Sequence, residues 1–424
     1  MHVLFVHKEF PGHFGHIARY LADHYGVECT FVYRNLPGRF EGQLPTGIDK
    51  GIRRIPYQSR GASRDTHFCN VHTEISMWHA QAVYETMKGM PEIKPDVVVG
   101  HCGFGTALFL ADLYPCPLVV HCEFFERSGK PLLFGRREFP PSEMDLLRAR
   151  ASNATNLLSL QTCAAGYSPT EWQRSLFPAE YQHKIATIFD GIDRTVWQRR
   201  LASRRIGNLP EIPVGRRVVT YVSYGLEALR GFDIFMKVAK RISEARPDVI
   251  FFVVGADRVQ YGEDLRFIRA PTFAQHVLSQ DNYDLSRFLF TGQILEEHLV
   301  EILSLSDLHI YLTMPFVLGW SLLDALACGC TVIASDTAPV REVIQHEQNG
   351  LLADFYDVDG LVRLALQVLD DPEKYRPLGQ AGVRLVDKKY SLAKTAPQMM
   401  ELFARVVQGE PLHFPVRSAD IEDH

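Results

Sequence analysis

The run Leu308 to Ile344 constrains the fold more than any other part of the chain. An apolar strand, Leu308 to Leu312, enters a loop that holds Pro315 and Gly319. A helix with Leu322, Leu323 and Leu326 at helical spacing follows, closed by Gly329. A second apolar run, Thr331 to Ala334, ends in a polar turn at Ser335 and Asp336. Strand, loop, helix and strand in that order make the building block of a parallel sheet. Such units bind ligands at the carboxyl ends of their strands, where helix N-termini offer unpaired N–H groups to anions. The loop Phe316 to Ser321 is therefore where a phosphate is expected. The pattern also suits an ordinary core unit of any α/β protein, and this stretch alone does not separate the two.

The 424 residues suffice for two or three domains. With 46% hydrophobic and 22% charged residues, the chain has ample material for a core. A formal net charge of -5 excludes a general nucleic-acid binder. The opening MHVLFVHKEFPGHF leads straight into a short strand without the pattern of a signal peptide, and no apolar run approaches the roughly 20 residues of a membrane span. A cytoplasmic protein is expected. The eight cysteines are scattered, mostly in apolar context (Cys29, Cys102, Cys116, Cys122), as reduced core thiols would be. Cys328 and Cys330 are too close for an easy bridge. His67, Cys69 and His72 match no standard metal spacing.

Strands and helices alternate along the first half. Val3 to Val6 reads as a strand, followed by a loop with Pro11, Gly12 and Gly15 and a helix from about His16. Further strands are expected at Glu28 to Tyr33, Ile52 to Pro56, Asp96 to Gly100, Leu118 to His121 and Asn156 to Leu160. Helices are expected at Thr73 to Gly89 and Glu143 to Asn153, and another begins with a capping box, Ser168-Pro-Thr-Glu171. The polar, Arg- and Pro-containing segment Arg199 to Arg217 reads as a linker, after which the alternation restarts at Val218. A last helix, Ser391 to Val407, precedes a loose polar tail. The expected organisation is α/β: two Rossmann-like domains, 1–200 and 201–385, facing a cleft, then a helix over 386–408 and a flexible tail over 409–424. Neither half holds a Walker A motif or a clean dinucleotide fingerprint.

Taken together and in order, FPGHFGHIA, PDVVVGHCGFG, SPTEWQ with FDGID, EALRGFD, LFTGQI and PFVLGWSLLDALACGCTVIASDTAPVREVI with NGLL resemble the family-4 glycosyltransferases of GT-B fold. The resemblance implies a retaining sugar transferase with an N-terminal acceptor domain, a C-terminal nucleotide-sugar domain and a last helix crossing back to the first. It implies a UDP- or GDP-linked donor, a glycan, lipid-linked or small-molecule acceptor, and no metal or other cofactor.

A donor of this kind leaves a diphosphate behind, so developing negative charge must be stabilised without a metal ion. The family uses two cations six residues apart for this. The second falls on Arg230, and a guanidinium grips phosphate oxygens well; the first falls on Tyr224, which carries no charge. The family's two glutamates, eight positions apart, fall on Phe316 and Asp324. Asp324 keeps a carboxylate for ribose hydroxyls. Phe316 accepts no hydrogen bond, so the sugar falls to backbone N–H groups of Val317, Leu318, Gly319, Ser321 and Leu322 or to groups elsewhere. The donor side further includes Gly255, at the end of a strand, and Ile294, where backbone contacts meet the base. In the first half, His121 ends a strand at the family's histidine position near the donor sugar and acceptor hydroxyl, and Glu123 would orient that hydroxyl. His101 has a similar place before a glycine turn. Gly12 and Gly15 would let backbone approach the phosphates, and Asp190 in FDGID is read as structural.

The expected mechanism is front-face retaining transfer, in which a donor phosphate oxygen takes the acceptor proton and no enzymic nucleophile is required. The departures at Tyr224 and Phe316 keep a non-catalytic nucleotide- or glycan-binding scaffold open as an alternative, with a GT-B nucleotide-sugar epimerase as a second. Arg127 to Arg137 (RSGKPLLFGRR) mixes basic and apolar residues; it is too short for an amphipathic anchor and reads first as a plain loop, with a peripheral contact at the inner membrane face as the alternative.

Overall fold

Both strand–helix alternations close into a parallel sheet of their own. The computed structural model describes residues 1–35, 47–49 (backbone only), 51–61, 63–127, 132, 135–200 and 203–415. The chain divides into two units: Met1–Pro131 with Ser142–Gly191 and Leu392–His424, and Leu132–Pro141 with Ile192–Ser391. The expected change at 200/201 thus falls earlier, at Ile192, and a short excursion over 132–141 belongs to the second unit. The last helix, Leu392–Val407, belongs to the first.

The first sheet holds β1 (His2–His7), β2 (Glu28–Arg34), β3 (Gly47–Asp49), β4 (Ile52–Tyr57), β5 (Val97–His101), β6 (Leu118–His121), β7 (Ala165–Ser168) and β8 (Ile185–Thr187). Its order is β3-β4-β2-β1-β5-β6-β7-β8, parallel throughout except β3 against β4. Strands such as HVLFVH are apolar at nearly every position because both faces are covered. The period of two sends Val3 and Phe5 to one core and Leu4 and Val6 to the other. Helices Gly15–Tyr25 and Leu392–Val407 close the first face through Ile17, Leu21, Met399 and Phe403. Helix Val71–Lys88 closes the second through Val83 and Met87.

The second sheet holds β9 (Arg217–Gly225), β10 (Val249–Ala256), β11 (Phe288–Gly292), β12 (Leu308–Tyr311), β13 (Val332–Ser335) and β14 (Leu351–Ala353), in the order β11-β10-β9-β12-β13-β14. Helix Phe232–Ala245 buries Phe232, Phe235, Val238 and Ile242 against Val219, Phe251 and Ile310. Each such side chain contributes about 1.5–3 kcal/mol by leaving water. The helix starts at Gly231, whose φ of 65° is left-handed and whose absent Cβ would meet Leu312 and Phe355 at 2.8 and 2.9 Å.

Several local expectations are corrected. Residues 156–160 are not a strand; they lie in helix Ala154–Thr162, with Thr155, Asn156, Ser159 and Leu160 buried and Leu157 and Leu158 exposed. That is a helical period in a Leu-rich segment without β-branched residues in its core. The strand is the small-residue run Ala165–Ser168. Ser168 therefore ends β7 instead of capping a helix, since Pro169 holds its predecessor extended. The cap is Thr170, which accepts the Gln173 N–H at 3.0 Å. Helix Pro372–Leu385, absent from the expectation, is announced by Asp371 as its cap and Pro372 in its first turn.

The stretch expected as a loose tail is held as far as Pro415. Leu412 and Phe414 pack on the first core, and Arg174 donates to the carbonyls of Phe414 and Pro415 at 3.1 and 3.0 Å. Residues 416–424 lie outside the described residues, as do 128–131 and 133–134 of the basic–apolar segment. Within that segment Arg136 is only 2% exposed, paired with Asp233 and Glu138, so it is no surface cation for a lipid headgroup. No helix of the described residues is long and apolar enough to cross a membrane. All eight cysteines are free, with Cys69 and Cys116 partly exposed.

Candidate functional site

In each sheet the chain reverses its direction of growth once, between β1 and β5 and between β9 and β12. Loops leaving neighbouring strands there diverge to opposite faces and open a crevice beyond the carboxyl ends. Both groups of expected site residues gather at such points.

In the first unit His7 ends β1, His101 ends β5 and His121 ends β6, while His13 enters on the loop between β1 and the first helix. The rings of His13, His101 and His121 form a nearly equilateral triangle with centroid separations of 5.4, 5.1 and 5.3 Å. Backbone donors set the proton positions. The Phe104 N–H donates to His101 Nδ1 at 3.3 Å, so that ring carries its proton on Nε2 and donates to Glu123 Oε2 at 3.0 Å. His13 Nε2 faces the other carboxylate oxygen at 3.2 Å, and His13 Nδ1 lies 2.9 Å from His7 Nε2. His7 Nδ1 meets both the N–H and the carbonyl of Glu9, at 3.0 and 2.9 Å. Accepting from the N–H suits a neutral His13; donating to the carbonyl suits an imidazolium, which then donates to both His7 and Glu123. Two imidazole arms thus converge on one carboxylate, whose side chain is 18% exposed.

The charges follow from this arrangement. Burial pulls His13 down, but Glu123 outweighs it and His13 titrates above its ordinary range. Burial and the neighbouring His13 and His101 hold His7 well below it, and burial brings His101 down to about 4. Burial alone would raise Glu123; His13 and His101 instead hold it well below the usual carboxylate range. His121 is fully buried, with Nε2 3.1 Å from Asp190 Oδ1, close but out of line for a hydrogen bond; its Nδ1 has no partner among the described residues. His121 and its neighbours outweigh burial at Asp190 and hold that carboxylate low. Asp190, read from sequence as structural, is thus part of the cluster.

Nitrogens of His13, His101 and His121 come within 4.8 Å of one another, a grouping that a metal ion could use. The Phe104 N–H on one side of His101 and Glu123 on the other engage both its ring nitrogens. Hydrogen bonds hold His13 and His101, whereas His121 makes none to a described residue. Gly12 serves the same cluster: its φ is 47° and a Cβ would lie 2.2 Å from His7 Nδ1, so the loop closes directly over the imidazole. Gly15 opens the following helix, packed on Pro11.

In the second unit Arg230 joins the two diverging loops. Its Nη1 donates to Thr313 Oγ1 at 2.9 Å and to the Val317 carbonyl at 3.0 Å. The guanidinium lies over Tyr261 and Phe316, 5.4 and 5.6 Å from the ring centroids. It is 7% exposed, and no carboxylate of the described residues lies within ion-pair distance. Asp324, on helix Trp320–Ala327, is also 7% exposed and its carboxyl makes no hydrogen bond to a described residue. Burial first and Glu296 second push that carboxyl well above its ordinary value.

The other expected donor residues divide. Phe316 is buried against Tyr261 and Arg230. Val317 and Leu318 are buried, and the N–H groups of Gly319 and Leu322 are already engaged, by the Tyr311 hydroxyl at 2.8 Å and the Gly319 carbonyl at 3.2 Å. Those two amides are therefore not free for a sugar. Ser321 Oγ donates to the Val222 carbonyl. Gly255 lies where a Cβ would be 2.4 Å from the Ser223 carbonyl, so β9 and β10 run backbone to backbone at their ends. Ile294 lines an apolar cavity of about 470 Å³ with Ile206 and Leu209. Tyr224 is 46% exposed, and the guanidinium of Arg258 covers its ring at 5.1 Å. Sequence reasoning missed His7, His13, Glu227 and Arg258; the first two lay inside the quoted VHKEFPGHF run.

Residues 26–196 match the model described as glycosyl transferase family 4 group, and residues 208–384 match glycosyl transferases group 1. N-acetyl-alpha-D-glucosaminyl L-malate synthase of Bacillus anthracis is 25% identical over 226 residues, 53% of this chain and 55% of that one. Alpha-maltose-1-phosphate synthase of Mycolicibacterium smegmatis is 28% identical over 242 residues, 54% of this chain and 59% of that one. The chain spans about half the length of these curated relatives. Two solved structures share the fold nearly end to end. Sucrose-phosphate synthase from Thermosynechococcus elongatus has a TM-score of 0.75 at 16% identity, covering 97% of this chain and 100% of that one. Anabaena HepE in complex with UDP-glucose has a TM-score of 0.67 at 13% identity, covering 95% and 99%.

Proposed function

Because the chain belongs to the group 1, family-4 glycosyltransferases and has their GT-B fold, we propose that it transfers a sugar, with retention, from a nucleoside diphosphate donor held by its second unit. The observation that carries this reading is Arg230: a buried guanidinium at the carboxyl edge of the central strands, held by neutral oxygens and aromatic faces, with no carboxylate of the described residues paired to it. Burying a cation without a counter-ion is costly, so a site that does so is built for an anionic guest. A diphosphate supplies that charge and gains more of it as the glycosidic bond breaks, which is the differential binding that lowers a barrier.

The rest of the second unit extends the same reading. Asp324, whose carboxyl makes no hydrogen bond to a described residue, takes ribose hydroxyls, and the base lies near Ile294. A UDP or GDP donor fits, and no metal is required where Arg230 meets the leaving group. In the first unit Glu123, ionised between two imidazoles, accepts from a hydroxyl, and His121 packs buried beside that group. The acceptor hydroxyl attacks on the leaving-group side, and a donor phosphate oxygen takes its proton. The acceptor is a glycan, a lipid-linked sugar or a small molecule. We place the protein in the cytoplasm; a lipid-linked acceptor would bring it to the inner membrane face.

Calorimetric titration with UDP, GDP and their common sugars tests the donor, and proton NMR of the product tests retention at the anomeric carbon. Failure to bind any nucleoside diphosphate would overturn the reading. The uncharged Tyr224 and the buried Phe316 favour one second reading, a binding protein without turnover. Tight binding with no product from any acceptor would establish it.

A further inference from the structure

We propose that Arg258 is the second cation of the diphosphate site, held in place across the ring of Tyr224. This rests on the reading of Arg230 as a diphosphate ligand and adds a residue from a different strand to it. β9 and β10 are parallel neighbours whose last register pair is Gly225 with Ala256, so their loops leave the sheet side by side. A Cβ on Gly225 would lie 2.5 Å from the Arg258 carbonyl, which brings the β10 loop directly over the end of β9.

That loop is fixed. Glu227, fully buried, accepts the N–H groups of Gln260, Tyr261 and Gly262 on one carboxylate oxygen, at 2.8, 2.8 and 3.2 Å. In return Asp264 accepts the Ala228 N–H at 2.7 Å. The loop after β10 is thereby stapled to the turn that carries Arg230. Tyr261 on it packs against Arg230, and Arg258, three residues earlier, covers Tyr224.

Arg258 resembles Arg230 in having no counter-ion. Its Nε is buried without a hydrogen-bond partner, and no carboxylate of the described residues lies within ion-pair distance. Other half-buried arginines of this unit have their donors engaged: Arg246 with Asp248 and Asp370, and Arg204 with the carbonyls of Ile212, Pro213 and Arg216. Two uncompensated guanidinium groups stapled to the same turn suit a ligand with more than one negative charge. An aromatic face holds a cation in position without neutralising it, which a carboxylate at the same place would do. Tyr224 is then the platform for a charge that comes from Arg258.

The test is calorimetric titration of the full chain with UDP and GDP, and in parallel with uridine and guanosine. Arg258→Ala is expected to weaken the diphosphate by roughly 10- to 100-fold and leave the nucleoside unchanged, since charge-assisted contacts to phosphate are lost and nothing else is. Tyr224→Leu is expected to weaken it several-fold. Adding Tyr224→Arg to Arg258→Ala is expected to recover most of the loss, because the cation returns to the same spot. A diphosphate affinity within about twofold of the starting protein in Arg258→Ala, at unchanged melting temperature, overturns the proposal while the donor reading stands. If the unmodified protein binds neither diphosphate, the donor reading fails first and this one falls with it.

Discussion

Arg230 donates to the Thr313 hydroxyl at 2.9 Å, and that bond ties the loop leaving β9 to the loop leaving β12. The two loops diverge from neighbouring strands, and this bond adds to that of the Met314 N–H on the Leu229 carbonyl, at 2.9 Å, in holding them together. A guanidinium that both bridges the loops and faces an anion is pre-organised: its position is set before the ligand arrives, and little reorganisation remains for the reaction step.

The first prediction follows from that double role. Arg230→Gln keeps a polar group near Thr313 and removes the charge. Transfer is expected to fall by roughly 100- to 1,000-fold, as when one stabiliser of developing charge is removed. The melting temperature is expected to hold or rise, because a buried cation without a counter-ion disappears. Steady-state kinetics and a thermal melt read the two effects. A near-normal turnover would remove Arg230 from the chemistry.

Asp324 makes the opposite trade visible through pH. Burial and Glu296 raise its carboxyl pKa, so the folded protein holds a proton that the unfolded chain releases. Stability is then lost as pH rises from the ordinary carboxylate value through the raised one, and stays lost at neutral pH. Asp324→Asn removes that cost. The variant is expected to melt higher than the parent at pH 7, with the gain vanishing near pH 4, while nucleotide binding weakens at least tenfold for loss of the ribose contact. Paired melts at pH 4 and 7 check the sign, and no difference between the two would refute it.

In the first unit the buried neutral histidines set the acid limit. His101 is brought down to about 4 and His7 is also held low, whereas both take up protons near 6.5 once unfolded. The unfolded chain binds more protons in that window, so stability falls as pH drops from about 6.5 toward 4, by an order of 3 kcal/mol for His101 alone. His13 works the other way: its raised pKa adds stability below about 6.5 that is lost as pH rises through the folded value. Glu123→Gln removes the anion that raises His13. Denaturant titrations across pH 4–8 are expected to show the alkaline loss in the parent and its absence in Glu123→Gln.

The sequence carried most of the architecture because the central strands are apolar runs, and that signal is local. It carried Arg230 and Asp324 because each sits just after a strand, in the turn or on the first helix that follows it. It did not carry the partners that come from other strands. His7 and His101 lie on adjacent strands but far apart in the chain, and Glu123 reaches both His101 and His13 only after β1, β5 and β6 are aligned. Arg258 meets Tyr224 because Gly225 and Gly255 let two backbones touch, a property of pairing that no spacing along the chain encodes. The error at 156–160 has a local cause: three leucines with interspersed polar residues suit either period, and which residues are buried decides it.

Arg136 yields the last prediction, since it lies in a segment the sequence offers as a loop or membrane contact and the fold buries it. Its guanidinium forms a two-point contact with Asp233, at 2.9 and 2.8 Å, meets Glu138, and donates to the Ala228 carbonyl just before Arg230. Paired donors of this kind match a planar guanidinium and not a lysine. Arg136→Ala leaves Asp233 without its counter-ion at the start of helix Phe232–Ala245, and removal of one partner of a buried pair costs about 3–5 kcal/mol. Arg136→Lys is expected to recover less than half of that. Exposed Arg137, stacked on Tyr356 at 4.1 Å, is expected to change stability by less than about 1 kcal/mol when replaced by alanine. Urea unfolding of the three variants measures all of this. Equal stability of Arg136→Ala and Arg137→Ala would mean that the buried pair contributes nothing.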